Sequence, residues 1–241
     1  MADLVTSTRP DLVFHLASHV AGARDLALVA PMLRANLVAA VNLMTALAGT
    51  APVPTVLAGS IEEPRVGEEP TPSSPYAAAK AAASRYALLF HSLYGLPVTT
   101  LRIAMVYGPG QPDRTKLVPY VTTSVLQGLA PALTDGSHKV DWVYVDDVVD
   151  ALLAAGSAER AAGEMIDIGS GTAVSIRDVV QLLSAAVGSD VVPEFGALPA
   201  RSLDSARIAD TARAKELLGW SASTELREGL ARTVRWYHEQ R

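Results

Sequence analysis

Cysteine is absent from the chain. Its absence removes disulfides, thiolate nucleophiles and cysteine-ligated metal sites, and fits a reducing compartment. An excess of basic charge is also absent: 20 Lys and Arg against 25 Asp and Glu leave a net charge of -5. That balance argues against nucleic acid as the main partner. The first residues, Met1-Ala2-Asp3-Leu4-Val5, show no basic stretch leading into an apolar run, so no secretory signal is read there. No uninterrupted apolar stretch reaches bilayer length; the nearest, Val29 to Ala48, is broken by Arg34, Asn36 and Asn42. A cytoplasmic protein with no membrane partner is the expectation. Metal ligands are sparse as well. His15 and His19 lack acidic company and read as structural, and Asp146-Asp147 read as a helix cap plus a surface acid. No metal site is expected.

What is present is globular. Hydrophobic residues make up 49% of the 241 positions and charged residues 19%, enough for one domain or one domain with a small lobe. Leu12 to Leu16 is a near-continuous apolar run and reads as a buried parallel strand. Pro31 to Ala48 has helical spacing, with Leu33, Leu37, Val41, Met44 and Ala48 on one side. Thr55 to Ala58 reads as a second strand ending at Gly59-Ser60, and a polar, proline-rich loop runs from Ile61 to Pro75. A helix from Tyr76 to Tyr94 closes on Gly95, and Val98 to Ile103 reads as a third strand. Alternating strands and helices mean a parallel sheet with helical crossovers. Beyond Gly108-Pro109-Gly110, helices are expected at Lys116 to Gln127, Val148 to Ala155 (capped by Asp146), Ser175 to Val187, Thr211 to Leu218 and Thr224 to Glu239, and strands at Val140 to Val145 and Glu164 to Ile168. The first half, 1–110, thus reads as the parallel sheet with its helices, and the second, 111–241, as a smaller mixed lobe.

The chemistry concentrates in Ser73-Ser74-Pro75-Tyr76-Ala77-Ala78-Ala79-Lys80. Proline presets the first helical turn, and the alanine run from Ala77 to Ala83 is the strongest helix former. Tyr76 and Lys80 then share one helix face. An ammonium beside a phenol favours the phenolate, so the expectation is that Lys80 lowers the Tyr76 pKa and makes Tyr76 a general acid/base. Ser60 ends a parallel strand, where ligand sites of open α/β sheets lie, and is read as a donor to a substrate oxygen.

These residues resemble the extended short-chain dehydrogenase/reductase family, the NAD-dependent sugar-nucleotide epimerases and dehydratases. The resemblance rests on Arg9-Pro10-Asp11-Leu12-Val13-Phe14-His15-Leu16-Ala17, Asn36, Ser60, and Pro75-Tyr76 through Lys80. It continues in Arg102 through Tyr107-Gly108-Pro109-Gly110, Asp141 through Asp147, Ile168-Gly169-Ser170-Gly171 and Leu218-Gly219-Trp220. It implies a Rossmann-like doubly wound parallel sheet, N-terminally incomplete, with a smaller mixed C-terminal lobe for a nucleotide sugar: a partial dinucleotide-binding domain over 1–110 and a mainly substrate-binding lobe over 111–241, the two interleaving in sequence. It implies catalysis by Ser60, Tyr76 and Lys80, contacts to NAD or NADP from Ala17, Ser18, Tyr76 and Lys80, and substrate contacts from Glu62, Lys116, Lys139 and Arg201. It also implies a homodimer built on the Pro31–Ala48 and Tyr76–Tyr94 helices.

Several departures qualify it. The family's glycine-rich turn, which takes the pyrophosphate at a helix N-terminus, has no counterpart among these residues, nor has the acidic residue that holds the adenosine ribose. Met105 stands where asparagine is common, and Val140 where arginine is usual, with Lys139 beside it. Ile61 replaces the aspartate that some dehydratases use as acid. Alongside the epimerase/dehydratase reading stand a non-catalytic homologue that does not hold the dinucleotide, and a ketone reductase of the same family.

Overall fold

The structure, a computed structural model, describes residues 1–20, 23–50, 52–64, 71–199 and 206–240. In chain order, the first elements are α1 (Ala2–Thr8), β1 (Val13–His15), α2 (Val29–Met32), α3 (Ala39–Ala48), β2 (Thr55–Ser60), α4 (Pro75–Tyr94) and β3 (Val98–Ile103). There follow β4 (Met105–Tyr107), α5 (Leu117–Leu126), β5 (Ala132–Leu133), β6 (Lys139–Tyr144), α6 (Val145–Ser157) and β7 (Met165–Ile168). The last are β8 (Ala173–Ser175), α7 (Ile176–Val187), β9 (Glu194–Phe195), α8 (Ala212–Leu218) and α9 (Leu226–Glu239). They form two compact units. The first comprises Met1–Ile103, Asp150–Ile168 and Asp210–Ser221; the second comprises Ala104–Val149, Gly169–Ala209 and Ala222–Arg241.

The first unit holds a wholly parallel sheet in the order β1-β2-β3-β7. Parallel neighbours need crossovers, and the helices between Leu26 and Ala48 and then α4 supply the first two. The register sets Ser60, the last residue of β2, opposite Ile103. β1 is an edge strand and is shorter than the apolar run suggests. Its three residues are half-buried and Leu16 is 51% exposed, because the strand leaves the sheet after His15.

The helical run Leu26–Ala48 also corrects a sequence expectation. It is one continuous helical segment of 23 residues, long and apolar enough to cross a membrane by length and composition. Its buried side is Met32, Asn36, Ala40, Met44 and Leu47, whereas Leu33 and Val38 are exposed. A π-helical stretch, Leu33–Val38, widens the turn where Asn36 enters the core, so the core-facing stripe passes through a polar residue. Ala40, Met44 and Leu47 pack with Ala83, Ala87 and Phe90 of α4, with Leu57 and Val98 of the sheet, and with Val5 of α1. The methyl-sized side chains of α4 let the two helices approach closely. α1 itself has no periodic signal in sequence; Val5 alone anchors it in this core.

The second unit is mixed. β4 pairs with β6 in parallel, β6 with β8 antiparallel, and β5 with β9 in parallel. Its core gathers Tyr107, Trp142, Tyr144, Val121, Val179, Leu183 and Leu230. Tyr107 meets Trp142 and Tyr144 edge-on, at centroid distances of 6.4 and 5.6 Å. Asp146 does not cap α6, as the helix starts one residue earlier at Val145. Its neighbour Asp147 is not a surface acid. It is 3% exposed and accepts bonds from Ser223 Oγ, Thr224 N and Thr224 Oγ1, tying down the segment that enters α9.

Candidate active site

The cluster forms at the C-terminal end of β2. Ser74 sits at the N-cap of α4 in extended conformation, its hydroxyl accepts from Ala77 N at 3.1 Å, and Pro75 follows at the first helical position. This start fixes where Tyr76 and, one turn on, Lys80 emerge. The Tyr76 hydroxyl lies close enough to the hydroxyls of Ser60 and Ser18 for both to favour its ionised form. The Lys80 ammonium donates to the Ala58 carbonyl at 2.7 Å and lies 5.8 Å from the centre of the Tyr76 ring. Two hydroxyls, a phenol and an ammonium therefore meet in one place within the first unit.

Ser18 is held by Asn36. The buried amide of Asn36 accepts from Ser18 Oγ at 2.8 Å and from His19 N at 3.0 Å, and donates to the His19 carbonyl at 3.0 Å. This explains why a polar residue faces the core of an apolar helix: its hydrogen-bonding groups are met by the loop after β1. Ala17, on the same loop, is exposed.

The electrostatics differ from the sequence expectation. Burial, foremost, pushes the Tyr76 phenol up to about 12; the negative charges of Glu62 and Glu63 act in the same direction, and the nearby hydroxyls of Ser60 and Ser18 offset only part. The net shift is therefore upward, not the downward one expected from Lys80. Its own burial brings Lys80 from 10.5 down to about 8, against the opposing pull of Glu63. At neutral pH Tyr76 is a protonated phenol and Lys80 is mostly an ammonium. His15, at the end of β1, is lowered by burial and then by the Lys80 charge, so it is a neutral imidazole there.

The turn after Ser60 holds what the sequence reading missed. Glu62 is half-buried, and its backbone N donates to Ser60 Oγ at 3.2 Å. The carboxylate that enters the site is the next one, Glu63, which is 3% exposed and accepts from Ser60 N at 2.7 Å. The signal available was Gly59: a Cβ there would stand 2.7 Å from Glu63 Oε1, so only glycine leaves room. Lys116, half-buried before α5, and Lys139, exposed at the start of β6, belong to the second unit. Arg201 and the middle of the proline-rich loop lie outside the described residues. Among the described residues no cluster of metal-ligating side chains occurs.

A parallel sheet whose strand end carries Ser60 beside a Tyr76/Lys80 helix is a Rossmann-like α/β arrangement. The family model for the NAD dependent epimerase/dehydratase family matches residues 1–169. UDP-glucose 4-epimerase from Mycolicibacterium smegmatis is 32% identical across the whole chain, which covers 80% of that relative. The dTDP-glucose 4,6-dehydratases of Streptomyces are matched over only about half their length, at 52 and 50%. Among solved structures, UDP-glucose 4-epimerase from Thermotoga maritima with UDP-glucose superposes with a TM-score of 0.90 at 30% identity, over 99% of this chain and 81% of that one. MoeE5 in complex with UDP-glucose and NAD gives 0.88 at 31% identity, over 99 and 82%. The chain belongs to the NAD dependent epimerase/dehydratase family, and its fold is the Rossmann-like α/β fold of these neighbours, spanning about four-fifths of their length.

Proposed function

We propose that the chain is a sugar-nucleotide epimerase/dehydratase acting by hydride transfer with NAD or NADP, in which Tyr76 moves the hydroxyl proton. The observation that carries this is the meeting of Tyr76 with Ser60, Ser18 and Lys80 at the end of β2. The residues present fit the nicotinamide-ribose half of a dinucleotide: Ser18 is pinned by Asn36, and Tyr76 and Lys80 stand together on α4. When bound, the nicotinamide supplies a hydride acceptor and donor. Tyr76, protonated at neutral pH, is ready to give its proton to a keto oxygen; taking one from a hydroxyl requires positive charge nearby to stabilise the phenolate, and Lys80 is the charge on its helix. Ser60 Oγ steadies the same oxygen by donating to it as negative charge develops. Lys116, Lys139 and Arg201 are proposed to meet the nucleotide's phosphates, and Glu62 and Ala17 to border substrate and cofactor.

UDP-sugars are the first substrates to test, given the whole-chain similarity to a UDP-glucose 4-epimerase and Ile61 at the dehydratase acid position. The assay is conversion of UDP-glucose to UDP-galactose with millimolar NAD. Ser60→Ala is expected to slow it tenfold to a thousandfold, by losing one donor to the oxyanion, about 1.4–4 kcal/mol. No conversion of any UDP- or dTDP-sugar would reject the reading. Exposed Leu33 and Val38 on the Leu26–Ala48 run, with Tyr86, Leu89 and Leu93 on α4, support association of two copies through these helices, checked by solution mass. A cytoplasmic location fits the same reading.

A second reading has its own observation. The 241 residues contain no glycine-rich run of the dinucleotide-binding kind. Losing two or three charge-assisted bonds to the pyrophosphate, each about 1.5–3 kcal/mol, would weaken a micromolar cofactor to about millimolar, leaving a non-catalytic homologue. Calorimetry with NAD separates the two: a micromolar Kd rejects the non-catalytic reading. A ketone reductase is supported by exposed Met105 and by Val140 in place of diphosphate-binding side chains, and reduction of a nucleotide-free ketone would reveal it.

A further inference from the structure

We infer that Glu63 is a positioning residue of the Ser60–Lys80 site, fixing the backbone of Ser60 and serving as the buried countercharge of Lys80. The inference rests on the proposed roles of Ser60, Tyr76 and Lys80.

Three consecutive residues of β2 carry the geometry. The Ala58 carbonyl accepts from Lys80 Nζ at 2.7 Å, and the Ser60 amide donates to Glu63 Oε1 at 2.7 Å. Gly59 lies between them, and Glu63 Oε1 occupies the space that a side chain there would need. The turn closes on itself as well, because Glu63 N donates to the Ser60 carbonyl at 3.1 Å. Both backbone polar groups of Ser60 are therefore bound by one residue, and its hydroxyl has a fixed origin. Glu63 is 3% exposed and Lys80 is 5% exposed, so their charges interact with little screening by water.

The charged and titratable groups around the pair are few. From α4 come Lys80 and Tyr76, from β3 comes Arg102, from the same turn comes Glu62, which acts on Tyr76, and His15 from β1 feels the charge of Lys80. Arg102 is bound to Asp167 through both Nε at 2.7 Å and a terminal nitrogen at 2.6 Å, so its charge is already matched by another carboxylate. A carboxylate buried only to close a turn would serve equally well as an uncharged amide. The distinguishing property is the charge felt by Lys80.

The chain has only four lysines, at 80, 116, 139 and 215, so NMR of protein labelled at the lysine side chains reads each one separately. In Glu63→Gln, which keeps an oxygen for Ser60 N but removes the charge, the Lys80 midpoint is expected to move below its parent value while the other three stay. Glu63→Asp, which keeps the charge, is expected to restore it. In Lys80→Met, the Glu63 carboxyl, read by labelled glutamate, is expected to titrate at higher pH than in the parent. This reciprocal arm tests the pairing even where Glu63→Gln does not fold. In the active protein, Glu63→Gln should move the alkaline limb of the kcat profile to lower pH. An unchanged Lys80 midpoint in folded Glu63→Gln, or an unchanged Glu63 midpoint in Lys80→Met, overturns the inference. These titrations need no turnover, so they stand apart from a failure of the catalytic reading.

Discussion

Two buried carboxylates, one in each unit, clamp a turn at a strand, and they do so differently. Asp141 in β6 is 1% exposed and accepts four bonds, from Ser170 N at 2.8 Å, Ser170 Oγ at 2.7 Å, Gly171 N at 3.0 Å and Ala209 N at 3.0 Å. No cation is among these donors: the carboxylate is held by backbone amides and a hydroxyl, and it joins three segments of its unit. Glu63 takes its Ser60 amide bond beside an ammonium, and burial, its strongest influence, raises its pKa against the pull of that bond and of Arg102 and Lys80. The contrast teaches that burial of an acid does not define its work. Donors distributed over several segments make a tether, whereas a carboxylate set against a buried lysine makes a charge partner.

The comparison breaks most forcefully at Asp141. Asp141→Ala leaves four donors without their acceptor, each costing about 1–3 kcal/mol when buried and unmet, so a loss on the order of 4 kcal/mol or more is expected in denaturant unfolding. A loss below about 1 kcal/mol would show that water replaces the carboxylate and that the tether is not needed.

The next effect is one of pH. A lysine whose folded pKa is about 8 instead of 10.5 is penalised at all pH values below 8, where folded and unfolded chains are both charged. Between 8 and 10.5 the unfolded chain binds more protons, so the penalty lifts as pH rises, by up to about 3 kcal/mol. Parent protein should therefore gain stability relative to Lys80→Met across that window. Tyr76 acts oppositely: its raised pKa gives stability that is full below 10 and lost as pH rises towards 12, so Tyr76→Phe should flatten that decline. Equal slopes for parent and Lys80→Met in the lower window would mean that Lys80 is not held as described.

A smaller effect is expected at Asn36. Asn36→Leu deprives Ser18 and His19 of their partners, but the loop is partly exposed and water substitutes for some, so about 1–2 kcal/mol is expected. The sharper readout is proteolytic nicking near Ser18, which should quicken. Unaltered nicking would mean that something other than Asn36 orders the loop.

Much of this was legible in the residues. Pro75 and the alanine run announced the start of α4, and Gly95 its end, because capping and propensity are local. Short apolar runs marked the strands of the parallel sheet for the same reason. The failures were non-local. Asn36 looked like an interruption because its partners lie 17 and 18 positions away in a loop with no pattern of its own. Glu62 was singled out and Glu63 passed over, since nothing in a polar loop says which of two acids turns inward; that was settled by the space above Gly59. The expected lowering of the Tyr76 pKa was reversed by burial, because spacing on a helix counts charge but not burial.

The most direct measurement is the turnover of Tyr76→Phe. The substitution removes one oxygen from a site whose other members keep their partners, so the variant should fold as the parent does. With NAD and a UDP-sugar converted by the parent, a drop of about a hundredfold or more is expected, with Ser60→Ala falling less than Tyr76→Phe. Unchanged turnover in folded Tyr76→Phe would contradict the assignment of the proton transfer and, with it, the site built around Tyr76.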